Sequence, residues 1–287
     1  MLEMIINPKR AERKPWEMAI IGFVYASLSV LLSYFIFSGH PVLSQYSGVF
    51  IVMFCVIFSM PFVYYTLKVE EKKDLNKEEN IGLIKEHSKA IWTFLWLFVG
   101  YILAFSLAYT VFPNGEQFFS AQIQTYCYMN RPYNYEECAN QYGISLEKIT
   151  GKASLSSIAK VAEIFSNNIS VLIVTLILSL IVGAGAIFVL AWNASVIAAA
   201  IGIFTKSDVS NLHLGLLRYL IHGLPEVAAY FVAALAGGIL GVAVIRGDIN
   251  TEKRWNIFED VLLLVIIAMI ILIISALIEV FITPQLF

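Results

Sequence analysis

The sequence predicts an all-α fold: a polytopic membrane helical bundle of about six long transmembrane helices plus one short broken or re-entrant helix. Three observations predict it. The 287 residues are 59% hydrophobic and only 14% charged, where a soluble domain carries about 25% charged residues. Mean hydropathy is +0.77. Several uncharged runs reach about 20 residues, the length that crosses a hydrocarbon core ~30 Å thick. The lipid bilayer is therefore the first partner implied. Nucleic acid is not expected: the net charge is −2, and no basic patch, zinc-finger spacing or glycine-rich phosphate loop occurs.

The first apolar run, 16–37, follows Lys9, Arg10, Arg13 and Lys14. No small-residue cleavage site closes it, so it reads as a retained span. The second span, 48–67, comes after a loop without Lys or Arg, "SGHPVLSQY" at 38–46. A mixed-charge segment with six lysines, 68–89, comes next, and 90–112 is the third span. Short Lys-rich loops stay in the cytoplasm. The N-terminus and 68–89 are thus expected inside the cell membrane and 38–46 outside. The chain divides into an N-terminal transmembrane hairpin (1–67), a cytoplasmic charged loop (68–89) and a larger membrane domain (90–287).

That domain includes an exterior loop, 113–168. It carries Cys127 and Cys138, eleven apart. On the oxidising side such a pair reads as a disulfide, the alternative being two free thiols. Cys55 lies mid-span and reads as core packing. Within 154–165, Leu155, Ile158, Ala162 and Phe165 share one helical face. Asn168-Ile169-Ser170 matches a glycosylation sequon, but it lies too close to the membrane for use.

The apolar run 169–204 would extend about 54 Å as one helix, so a break is expected. Gly-Ala-Gly at 183–185 and Trp-Asn-Ala-Ser at 192–195 offer themselves, and the second is favoured. Span four is then 169–191, and 194–204 is a short re-entrant helix or a thin crossing. The same length problem recurs from 207 to 245. Here the break is expected at Gly223-Leu224-Pro225, with Asp208 capping a first helix, Gly223 ending it and Pro225 opening a second, 225–245. The last span is 257–283. If 194–204 crosses, Arg246, Lys253 and Arg254 lie inside, as the charge rule prefers.

Ionisable residues at membrane depth are costly and usually have partners or a task. Arg218, His222 and Glu226 advance by four, so on a continuous helix they share a face. One reading is structural: His222 and Glu226 satisfy backbone groups freed by the break, or bond another helix. A second has them relay protons or bind a cation on a transport path through broken helices. A third, a hydrolytic metal site, lacks the ligands: His-x-x-x-Glu has no second histidine. Arg218 also fits a lipid headgroup. Glu279 is another membrane-level acid, about one turn from Thr283, where a helix-end hydrogen bond is expected. Ala229, Ala233, Gly237 and Gly241 form a small-residue stripe for close helix packing, within the subunit or in a homo-oligomer. Gly183 and Gly185 fit the same role in span four. No cofactor, resident metal or catalytic constellation is expected.

The second half resembles the stage II sporulation protein M family of integral membrane proteins. Four pieces in order carry the likeness: Asn167-Asn168 opening a span that holds Gly183 and Gly185 and closes at Asn193; "HGLPE" at 222–226; "AALAGGILG" after it; and "ISALIEVFITP" near the C-terminus. The resemblance covers roughly 90–284, leaving the N-terminal hairpin as an addition to the family's usual five or so spans. Ala194 stands where the family often has glycine, and Val227 where it usually has leucine. The resemblance implies a non-enzymatic membrane scaffold with membrane or envelope protein partners. Sporulating members hold peptidoglycan-degrading partners at a septal membrane during engulfment; relatives in organisms that do not sporulate have no defined role. It raises the importance of Asn193, His222, Gly223, Glu226 and Glu279 without assigning them a reaction.

Overall fold

The computed structural model describes residues 11, 13–40, 42–75, 83–112, 114–130, 138, 140, 157–182, 186–205, 209–251 and 254–286. Among these there is no β-strand. In a bilayer every backbone polar group must be satisfied internally, which helices do segment by segment. Seven helices of the described chain are long and apolar enough to cross a membrane. The molecule is an all-α, multi-pass membrane bundle.

In chain order the helices are α1 (Glu17–Phe37), α2 (Ser47–Leu75), α3 (Leu83–Val111), the short α4 (Gly115–Phe118) and α5 (Ser120–Asn130). Then come α6 (Ser157–Val182), α7 (Ala186–Thr205), α8 (Leu212–Arg246) and α9 (Arg254–Leu277). A π-helical turn, Ile278–Ile282, continues α9 into α10 (Thr283–Leu286). The charged segment expected as a loop at 68–89 is largely helix: α2 runs on to Leu75 and α3 starts at Leu83. Once water is available, long helices need not stop at the edge of the hydrocarbon.

Both helix-length expectations are corrected. No break occurs at 192–195, which lies inside α7. Asn193 donates its side-chain amide to the Val189 carbonyl at 2.7 Å, and the Ser195 hydroxyl bonds the Trp192 carbonyl at 2.8 Å. Both polar groups are satisfied without interrupting the helix. Instead α6 ends at Val182 and α7 begins at Ala186, flanking the glycine pair 183 and 185, which lies outside the described residues. The expected short helix 194–204 is thus part of a 20-residue helix. α6 is one helix through Asn167-Asn168, and Ile158 near its start is 79% exposed.

Nor does the chain break at Gly223-Pro225. α8 is a single 35-residue helix with Pro225 inside it, and Gly223 is helical and buried. Proline costs the helix one hydrogen bond, to the Ile221 carbonyl. Membrane helices tolerate that loss where neighbouring groups re-satisfy the backbone. The Ser275 hydroxyl of α9 bonds the adjacent His222 carbonyl at 2.7 Å, not the Ile221 carbonyl that the proline frees. At about 52 Å, α8 overruns the hydrocarbon instead of breaking, and Leu214 and Leu217 in its first turns are exposed. Asp208, the expected cap, lies outside the described residues; the helix starts after Asn211.

A small cap closes one end of the bundle. The buried Gln122 of α5 donates to the Gly48 carbonyl at 2.9 Å, and the Ser120 hydroxyl bonds the Gln45 carbonyl at 3.0 Å. Cys127 and Cys138 form a disulfide with Cα atoms 5.8 Å apart, while Cys55 is a free, buried thiol. The start of α2 and the end of α3 therefore lie at the cap. Gly202 of α7 packs on the Tyr109 ring at that same end. At the other end of α7, Ala186 and Ile187 share a small apolar cavity with Val63, Phe94 and Phe231. Helix α7 thus runs from one face of the bundle to the other. The end opposite the cap gathers Trp16, Trp92 and Trp255, all exposed, as an aromatic belt at a membrane surface would require.

Candidate functional site

The polar residues that the apolar sequence has to accommodate meet where α6, α8 and α9 pack together. α6 brings Asn168, α8 brings His222, Glu226 and Tyr230, α9 brings Ser275, its π-helical turn Glu279 and α10 Thr283. Because α8 is unbroken, residues at i, i+4 and i+8 line one stripe, and His222, Glu226 and Tyr230 occupy it.

The bonds run across helices. Asn168, 4% exposed, donates its amide to the Glu226 carboxyl at 2.8 Å. The Tyr230 hydroxyl donates to the same amide's oxygen at 3.2 Å. Ser275 is fully buried and bonds the His222 carbonyl, while the Thr283 hydroxyl lies 3.4 Å from His222 Nδ1. Thr283 also donates to the Ile278 carbonyl at 3.3 Å, five residues back, a carbonyl of the π-helical turn. Glu279 sits in that turn between Ser275 and Thr283, near enough to Glu226 for the two charges to interact. Among the described residues neither carboxyl forms an ion pair.

Arg218 lies one turn from His222 toward the cap side. Its guanidinium stands 4.8 Å from the Phe204 ring centroid and 6.0 Å from that of Tyr219, the stacked geometry that suits its planar charge. The Tyr219 ring in turn lies 6.1 Å from His222 and is in side-chain contact with Tyr126 of the cap. Cap helix α5 and the polar cluster are thereby linked through two tyrosines.

The structure thus brings together His222, Glu226 and Glu279, with Arg218 at their margin. It leaves Asn193 out, bonded within its own helix. The helix-break role of Gly223 and Pro225 is replaced by a continuous α8. The stripe Ala229, Ala233, Gly237 and Gly241 is buried within the chain: Gly237 and Gly241 sit on the backbone of α6 around Leu176 and Leu180. No part of it remains for a second copy. Asn168, Tyr230, Ser275 and Thr283 were not singled out as site residues by sequence reasoning. The sequon at Asn168 is closed, since its amide is buried and bonded. The signal available for these four was their register: each lies on the face its helix turns toward the His222–Glu226 stripe.

No curated protein and no solved structure matches the chain. The family model for stage II sporulation protein M matches residues 19–284, a span that takes in both helices of the N-terminal hairpin. The chain belongs to the stage II sporulation protein M family.

Proposed function

We propose that this protein is a membrane scaffold or assembly factor of the cell envelope, without enzymatic activity, whose cap is its partner surface. One observation carries the reading: the polar residues where α6, α8 and α9 meet bond across the helices. Asn168–Glu226, Tyr230–Asn168 and Ser275–His222 tie three helices together, which is how polar side chains join membrane helices. The cap is likewise held to the bundle, through Gln122, Ser120 and its disulfide. A rigid platform of this kind suits holding partners. Arg13, Lys14, Lys89, Arg246 and Arg254 all belong to the end opposite the cap. By the positive-inside rule that end, with the N-terminus, is cytoplasmic and the cap faces the envelope.

Purification in mild detergent after crosslinking in cells tests the reading. The expected product is a complex with envelope proteins crosslinked through the cap. Recovery of the bare monomer alone under native conditions overturns it.

A second reading, a transporter or lipid translocase, is favoured by one feature: His222, Glu226 and Glu279 are half-buried instead of sealed. It requires pH-dependent flux in liposomes that Glu226→Gln abolishes. Flux that ignores the substitution removes the proton-coupling role.

A further inference from the structure

Glu279 lies between Ser275 and Thr283, which both reach His222, one turn from Glu226, and among the described residues neither carboxyl has a cation as partner. Every neighbouring element gives the same result. On α8, Arg218 is turned to Phe204 and Tyr219, and His222 presents Nδ1 to the Thr283 hydroxyl. Tyr219 and Tyr230 are the other ionisable groups of α8 at this level. On α6 the partner is the uncharged Asn168. α9 and α10 contribute Ser275 and Thr283 on either side of Glu279. From α7 comes Phe204, and from the cap Tyr126 contacts Tyr219.

Two ionised carboxylates at membrane depth would each cost several kcal/mol to desolvate, and their repulsion would add to that. The total stability of a folded protein is only about 5–15 kcal/mol. Among the described residues nothing supplies the counter-charge. The hydrogen-bond directions say which kind fits. A metal ion needs converging oxygen acceptors, six to eight for calcium. Asn168 turns its N–H, not its oxygen, to Glu226, and its oxygen is already taken by Tyr230. That is a surrounding for a carboxyl oxygen that accepts a hydrogen bond, not a cage for a metal ion.

We propose that Glu226 and Glu279 form a proton-binding pair that holds one proton between them when the bundle is assembled. The proton joins one carboxylate oxygen and removes one negative charge; no bond within the chain breaks. The inference goes beyond the scaffold reading and is independent of it, because it concerns the bundle's own charge balance and no partner.

Infrared spectroscopy of the full-length protein in lipid nanodiscs at neutral pH reads the proton directly. The expected result is a protonated-carboxyl stretch equal to one group per chain, shifted by exchange into D2O. It should be lost in Glu226→Gln and also in Glu279→Gln, because either amide removes the need to share. If a variant fails to fold, wild-type protein carrying 13C-labelled glutamate gives the same readout through the isotope shift of that band. Absence of the band, or a band that survives both substitutions or ignores the glutamate label, overturns the proposal.

Discussion

Asn168 of α6 donates its side-chain amide to Glu226 of α8 at 2.8 Å while accepting the Tyr230 hydroxyl at 3.2 Å. One amide therefore serves both turns of α8 that face it, and removing it strands a carboxyl and a phenol together. Interhelical hydrogen bonds in membranes are worth on average ~0.6 kcal/mol, rarely above ~1.7. A buried group left unpaired costs ~1–3 kcal/mol. Asn168→Ala is expected to destabilise the bundle by about 1–3 kcal/mol, and Tyr230→Phe by less than about 1. Reversible unfolding in mixed micelles measures both. Equal effects of the two substitutions would show that the carboxyl does not depend on Asn168.

Pro225 and Ser275 should be energetically coupled. The proline deprives the Ile221 carbonyl of its helical donor, and the Ser275 hydroxyl bonds the adjacent His222 carbonyl at 2.7 Å. Pro225→Ala restores a backbone N–H and should leave the fold intact, the opposite of what a broken helix would predict. Ser275→Ala should cost about 0.5–1.5 kcal/mol in the wild type and less in the Pro225→Ala background. A double-mutant cycle on the same unfolding assay gives the coupling, and strict additivity would mean that Ser275 does not compensate the proline.

The helical bundle was legible because hydropathy and span length report directly on what a bilayer tolerates. His222, Glu226 and Glu279 were legible for the same reason: charge is rare at that depth. The helix joints were not. Pro225 reads as a stop in a sequence taken alone, because the helix that packs on this turn, with Ser275 on the His222 carbonyl, lies 50 residues further on. Asn193 reads as a break because its self-satisfying bond to Val189 leaves no mark in composition. Asn168, Tyr230 and Thr283 are ordinary residues individually. Only helix packing makes them a site, and the register that brings α6 against α8 is a tertiary fact.

The small residues of α8 set that register. A Cβ added at Gly241 would stand 2.6 Å from the Leu180 carbonyl oxygen, and one at Gly237 would press on the Leu176 carbonyl still harder. Both obstacles are backbone, so the helices must separate. Gly237→Ala is expected to cost about 1–3 kcal/mol, the usual range for overpacking, and Gly237→Leu to prevent stable assembly. Gly39→Ala, with nothing within 4 Å of the added carbon, is the control and should be near neutral. Thermal stability in detergent, followed by size-exclusion, separates the three. An unaffected Gly237→Leu would show that α6 and α8 do not approach as closely as this.

The cap disulfide offers a test of both cap stability and membrane orientation. Cys127 and Cys138 are separated by 11 residues, and a loop of that size stabilises by about 3 kcal/mol in the chain-entropy picture. Cys127→Ser should therefore loosen the cap and increase its proteolysis while the buried bundle stays folded. The same cysteines report sidedness. Cys55 is fully buried, so an impermeant reductant followed by an impermeant maleimide in intact cells should label only the cap pair. Labelling without permeabilisation fits the envelope-facing cap, with the basic residues near Trp16 and Trp255 in the cytoplasm. If label enters only after the cells are opened, the bundle is inverted, and the cap cannot be a surface for envelope partners.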